Sequence, residues 1–89
     1  MSHPRVSIII LNYNGKKWLE KCLPSWKKVT YKNKEVIVVN NGSSDDSAEF
    51  LKKKHPEVRV IELQPNRGFA GGNNYGVSKA KGKYILLLN

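Results

Sequence analysis

Eighty-nine residues with 39% hydrophobic content suit one small globular domain with a thin core, too small for a second domain. The single Cys22 excludes an internal disulfide and is compatible with a reducing compartment, and His3 and His55, which read as surface residues, have no Cys or His neighbour at zinc-ligand spacing. The formal net charge of +9 suits an anionic partner (phosphates, nucleic acid or an anionic membrane surface), although the lysines fall in small groups that fit solvated helix faces and loops.

In chain order, Val6 to Leu11 reads as a buried strand, ending in Asn12-Tyr13-Asn14-Gly15. From Lys16 to about Lys28, the residues Trp18, Leu19, Cys22, Leu23 and Trp26 recur at helical spacing. That stripe predicts both tryptophans in the core, and Pro24 predicts a bend or a loosened middle turn. A second strand covers Glu35 to Asn40. Its run Val36-Ile37-Val38-Val39 is the kind buried on both faces of a parallel sheet. A helix from about Ser44 to Lys54 follows, with Ser43 expected to cap it and Asp45 and Asp46 suited to its positive N-terminus. His55-Pro56 closes it. Val58 to Leu63 is a third strand, whose Glu57, Arg59 and Glu62 suggest a sheet edge. Three glycines weaken the next helix, yet Ala70 to Ala80 remains its best span before Gly82 and a fourth strand, Tyr84 to Leu88.

Four strands alternating with three helices predict an α/β three-layer sandwich around a mostly parallel sheet. No charged-then-apolar leader or bilayer-length apolar run is present, so the expected location is the cytoplasm or the inner membrane surface. The last strand is followed only by Asn89, which reads as a domain cut short and leaves a strand edge through which two copies could pair.

In open α/β sheets, ligands bind at the carboxyl ends of the strands. Three loops fall there: Asn12-Tyr13-Asn14 offers an aromatic face and amides, Asn40-Asn41-Gly42-Ser43 offers amides and a hydroxyl, and Asn66 to Gly76 adds Arg67, whose fork suits a diphosphate. The start of the following helix could also present amides to an anion. Neither the dinucleotide fingerprint nor a P-loop is present, and no nucleophile and base pair up.

Val6-Ser7-Ile8-Ile9-Ile10-Leu11-Asn12-Tyr13-Asn14, Val38 to Asp46, and Asn66-Arg67-Gly68-Phe69-Ala70-Gly71-Gly72-Asn73-Asn74-Tyr75-Gly76 resemble, in the right order, three motifs of family-2 glycosyltransferases. The third is similar to that of the rhamnosyltransferase-like branch. The resemblance implies the Rossmann-like N-terminal half of a GT-A fold and transfer of a sugar from a nucleotide-diphosphate sugar to an acceptor the sequence does not name. By the same resemblance, Leu11, Tyr13 and Asn14 would border the nucleotide. Asn40, Asn41 and Ser43 would meet base and ribose, and Arg67, Gly68 and Asn73 would line the donor site.

Two positions depart from the family pattern. Asn40 stands where the family usually has Asp, and Asn89 only reaches the first position of the family's D-x-D-like metal motif. A divalent cation, Mg or Mn, is therefore expected of a full-length enzyme and not of these residues, among which no catalytic base is named. Peripheral membrane contact would belong to that full-length protein. A basic nucleic-acid-binding module is the weaker reading, because no recognised motif or aromatic–basic interleaving supports it. A non-catalytic, self-associating fragment is the third.

Overall fold

The computed structural model describes residues 4–27 and 33–88, with backbone only at 26 and 27. The sequence readings of His3, Lys28, Lys32, Asn89 and the Trp26 side chain lie outside the described residues. The elements are β1 (Val6–Asn12), α1 (Lys16–Lys27), β2 (Lys34–Asn41), α2 (Ser47–Lys54), β3 (Arg59–Leu63), α3 (Gly68–Lys79) and β4 (Tyr84–Leu88). The sheet order is β3-β2-β1-β4 and every strand pair is parallel. This is the expected α/β arrangement, with β3 at an edge as its charges suggested.

Strand alternation sorts the core into two layers. Ile8, Ile10, Val36 and Val38 face one side, where Leu19 and Leu23 of α1 and Leu51 of α2 pack on them. Ile9, Ile37, Val39 and Leu63 face the other, joined by Leu11, Ile61 and Tyr75 under α3. Full burial of side chains such as Ile9, Ile37, Leu19 and Leu51 stabilises the fold by about 1.5–3 kcal/mol each. The helix α3 works differently: its buried positions are Gly72, Asn73 and Gly76, and it holds the sheet by backbone proximity. A Cβ on Gly76 would lie 2.8 Å from both Ile9 Cγ2 and Val39 Cγ2. The glycines that weaken α3 as a helix are what let it seat.

Several local expectations are corrected. Trp18 is 38% exposed, because Leu19 and Leu23 take the buried face of α1. His55 is half-buried, edge-on to Phe50 at 5.4 Å between ring centroids, rather than a surface residue. The strands β1 and β2 each run one residue further, because the parallel ladder pairs Asn12 with Asn40 and Asn41 with Leu63. The helix α3 starts at Gly68, earlier than Ala70.

At the sheet edge where the strands begin, Glu35 closes the α3–β4 connection. Its Oε2 accepts from the Ser7 hydroxyl at 2.5 Å and the Lys81 amide at 2.6 Å, while the Gly82 amide donates to Ser7 Oγ at 2.8 Å. Arg5 and Arg59 each stand 3.8 Å from Oε1, and Arg59 also donates to the Lys79 carbonyl at 2.7 Å. Burial alone would raise the Glu35 carboxyl. The Ser7 hydroxyl, the Lys81 amide and the two arginines outweigh it and hold the group below its ordinary value.

A depressed folded-state value gives stability that is present above the unfolded value of about 4.3 and is lost as pH falls through the folded value. Urea unfolding should therefore find Glu35→Gln about 1–3 kcal/mol less stable than wild type at pH 7. The gap should narrow steadily as the pH drops below about 4. A gap that stays constant down to strongly acid pH would show that the Glu35 charge contributes nothing.

Candidate functional site

Asparagine side chains lace together the loops at the carboxyl ends of β1 and β2. Asn12, buried at the end of β1, donates through Nδ2 to Asn40 Oδ1 at 3.0 Å and to Ser43 Oγ at 3.4 Å, and accepts from the Gly15 amide at 3.1 Å. The residue Asn14 takes a left-handed backbone with φ of 50°, a conformation Asn tolerates better than most side chains. That turn aims its Oδ1 at the Ser44 amide (2.7 Å) and the Asp45 amide (3.1 Å), while its own amide donates to Ser43 Oγ at 2.9 Å.

This explains why α2 begins at Ser47 and not near Ser44. The Ser44 and Asp45 amides are held by Asn14 across a loop some thirty residues away, so Ser43 braces Asn14 and caps no helix. The N-cap, Asp46, makes no side-chain cap bond; the first-turn amide is held instead by Asp45, one residue before it, whose Oδ1 accepts from the Ser47 amide at 3.1 Å and from the Ser47 hydroxyl. Its Oδ2 accepts from the Lys16 amide at the start of α1, at 3.3 Å, so one carboxylate serves two helix N-termini. Burial opposes ionisation of Asp45, but the Ser47 hydroxyl and amide, the Lys16 amide and the Lys16 charge overcome it and depress its value. The neighbouring Asp46 carboxylate pairs with Lys16 Nζ at 3.0 Å and raises that lysine.

On the other face of the sheet, Asn41 holds the third loop. Its Oδ1 accepts from the Arg67 amide at 2.8 Å, its Nδ2 donates to the Gly68 carbonyl at 3.0 Å, and its own carbonyl accepts from Asn66 Nδ2 at 2.7 Å. The Asn66 Oδ1 takes the Gly68 amide at 2.6 Å. A Cβ on Gly72 would fall 2.5 Å from Leu11 Cδ1 and 2.8 Å from Asn41 Nδ2, so only a glycine lets α3 close over this rim.

The nine predicted residues all gather at this one end of the sheet, but the pleat divides them. Asn40 and Ser43 line a hollow of about 270 Å³ on the α2 side, with Asp45, Glu49 and Glu62. Leu11, Asn41, Arg67, Gly68 and Asn73 belong to the α3 side. Tyr13 is 60% exposed, and the exposed Arg67 lays its guanidinium 5.1 Å from the Tyr75 ring centroid. Asn73 is 5% exposed, and neither polar atom of its side chain has a hydrogen-bond partner. Sequence reasoning placed Asn12, Asn66 and Tyr75 in the rim loops and motifs but gave them no individual role. The parallel register opposite Asn40 was the signal for Asn12; no local signal marks Asn66.

Among the described residues no group of three or more His, Cys, Asp or Glu is placed to hold a metal ion. The nearest carboxylates, Asp45 and Asp46, are committed to helix amides and to Lys16. No helix of the described residues is long and apolar enough to cross a membrane.

A parallel α/β sheet with an aromatic, arginine-bearing polar rim at its strand carboxyl ends is a nucleotide-binding type of architecture. Residues 7–89 match the model of glycosyl transferase family 2, and the chain belongs to that family, with the GT-A fold. The glycosyltransferase GlyG of Streptococcus pneumoniae serotype 4 is 36% identical over 87 residues, covering 94% of this chain and 29% of that protein. Two solved structures are similar in fold as well as sequence. The mannosyltransferase PcManGT from Pyrobaculum calidifontis, in complex with GDP-Man and Mn2+, gives a TM-score of 0.84 at 26% identity, covering 94% of this chain and 26% of that one. S. aureus TarS 1-349, in complex with UDP-GlcNAc, gives 0.83 at 27%, with the same coverage of each chain. The chain thus spans under a third of the length of these proteins.

Replacing Asn41 by alanine removes both side-chain bonds to the third loop and leaves the Arg67 amide without its acceptor. The expected cost is about 1–3 kcal/mol, with hydrogen exchange at the Arg67 amide accelerated well beyond that in β1. Equal acceleration throughout the sheet would mean that Asn41 supports global stability and not the loop.

Proposed function

We propose that this chain is the nucleotide-binding, N-terminal part of a glycosyltransferase that moves a sugar from a nucleotide-diphosphate sugar to an acceptor. The observation that carries the reading is Asn73. A buried amide with neither atom paired is costly, and it sits one residue along α3 from the glycine closed over Leu11 and Asn41. Both atoms are sealed from solvent, so a ligand with donors and acceptors would satisfy them only by displacing the packing between α3 and the sheet. Membership of the family and the nucleotide-sugar complexes of two similar structures support the same assignment.

In this reading Tyr13 supplies a stacking face for the base, and Arg67 draws the diphosphate. Asn40 presents a neutral amide where the family's usual carboxylate would act only as an acceptor. Asn14, Asn41 and Ser43 position the loops more than they touch the ligand, since Asn14 Oδ1 is committed to the Ser44 and Asp45 amides, Ser43 Oγ to Asn12 and the Asn14 amide, and the Asn41 side chain to the Arg67–Gly68 peptide. Residues beyond this sequence would supply the divalent cation's ligands, the acceptor site and the base. They would also cover the exposed Ile85, Leu86 and Leu87 of β4. The rhamnosyltransferase-like branch follows from the Asn66 to Gly76 motif alone.

Titration of the ¹⁵N-labelled chain with UDP and GDP tests the assignment. Shifts should concentrate at Tyr13, Asn41, the 66–74 loop and the Asn73 side-chain amide, and Asn73→Ala should weaken binding with the fold intact. Shifts confined to other surfaces, or none up to millimolar nucleotide, would reject the pocket.

A further inference from the structure

At the rim, hydrogen bonds fix which way the asparagine amides point. The parallel register sets Asn12, Asn40 and Glu62 side by side across β1, β2 and β3, on the face that also carries Ile10, Val38 and Val60. The Gly15 amide can only donate, so Asn12 meets it with Oδ1, at 3.1 Å, and turns Nδ2 toward Asn40. Asn40 must then accept with Oδ1, at 3.0 Å, which leaves its own Nδ2 facing away from Asn12. The residue is 4% exposed, and among the described residues no acceptor meets that Nδ2. It lines the hollow of about 270 Å³ together with Ser43 and Glu62. Ser43 stands on the Asn12 side, and its Oγ already accepts from Asn12 Nδ2 and from the Asn14 amide, so only its proton is left to give. Glu62, half-exposed and 3.9 Å from Lys52, stands on the other side and can only accept. The hollow thus presents donor, donor and acceptor in that order from β1 to β3.

We propose that Asn40 selects the nucleobase, and that the base it selects is cytosine. The Watson–Crick edge of cytosine runs carbonyl oxygen, bare ring nitrogen, exocyclic amine: two acceptors and then a donor, the complement of Ser43, Asn40 and Glu62. Uracil and thymine have the same size and shape, but their ring nitrogen carries a hydrogen. Against Asn40 Nδ2 it would set donor against donor, and a buried donor left unpaired is costly. Guanine carries a hydrogen at the same place, and adenine has no second acceptor beside its ring nitrogen. The carboxylates around the hollow favour a neutral base there, while the diphosphate falls to Arg67 on the opposite face of the sheet. Aspartate at position 40 would reverse the selection, since it accepts from Asn12 and offers the hollow only another acceptor. This selection presupposes the nucleotide reading of the rim.

Titration of the full chain with CDP and UDP, which differ only at this edge, tests it, with ADP and GDP as purine comparisons. CDP should bind at least about tenfold more tightly than UDP. Asn40→Asp, which keeps the bond from Asn12, should reverse that order. Glu62→Ala, at an exposed position of the edge strand, should weaken CDP about fivefold and leave UDP nearly unchanged. Circular dichroism checks that both variants fold. Equal affinities, or a preference for UDP or a purine, with shifts still at the rim would overturn the selection and leave the nucleotide reading standing. A preference for CDP that survives in Asn40→Asp would also overturn it. No binding by any of the four up to millimolar concentration would reject both.

Discussion

The rim of this protein depends on one constraint: three loops that leave adjacent strands must be held in place without a local secondary structure to hold them. Short polar side chains do this work. Asn12 and Asn40 face each other because the parallel register of β1 and β2 makes them partners, and their amides bond at 3.0 Å. One residue later the pleat turns Asn41 to the opposite face, where it clamps the Arg67–Gly68 peptide. An amide can donate and accept at once, so Asn12 and Asn41 each tie groups on two sides where a carboxylate could only accept. The asparagine-rich character of the rim is therefore first a matter of architecture.

The same economy governs α3. It brings few apolar side chains to the sheet and docks through Gly72 and Gly76, whose missing Cβ atoms let the helix backbone approach Leu11, Asn41, Ile9 and Val39. Close approach puts Asn73 into the interior beside the rim with no partner. At the far end Glu35 fastens the loop into β4. The helix is thus pinned at both ends, and the unpaired amide lies near the rim end.

The sheet was legible because Val6 to Leu11 and Val36 to Val39 can only be doubly buried strands, and alternation with helical segments leaves parallel pairing as the natural arrangement. The three rim loops were legible from the same topology. What sequence reading missed depends on partners far along the chain. The start of α2 was misplaced because Asn14, about thirty residues upstream, takes the Ser44 and Asp45 amides. The beginning of α3 was misplaced because glycines look like helix breakers until the strand beneath them is known. The stripe of α1 counted Trp18 with the core, although Leu19 and Leu23 fill the available space. Asn66 carries two of the rim's bonds and looked like any loop asparagine.

If amide lacing organises the rim before any ligand arrives, the ligand-free chain already holds it. The direct measurement is the side-chain amide region of a ¹⁵N–¹H correlation spectrum of the free protein. Asn12, Asn41 and Asn66 should give dispersed NH₂ pairs whose hydrogens exchange slowly with water. Collapse of these signals into the narrow range of freely rotating asparagines, with rapid exchange, would contradict a preorganised rim.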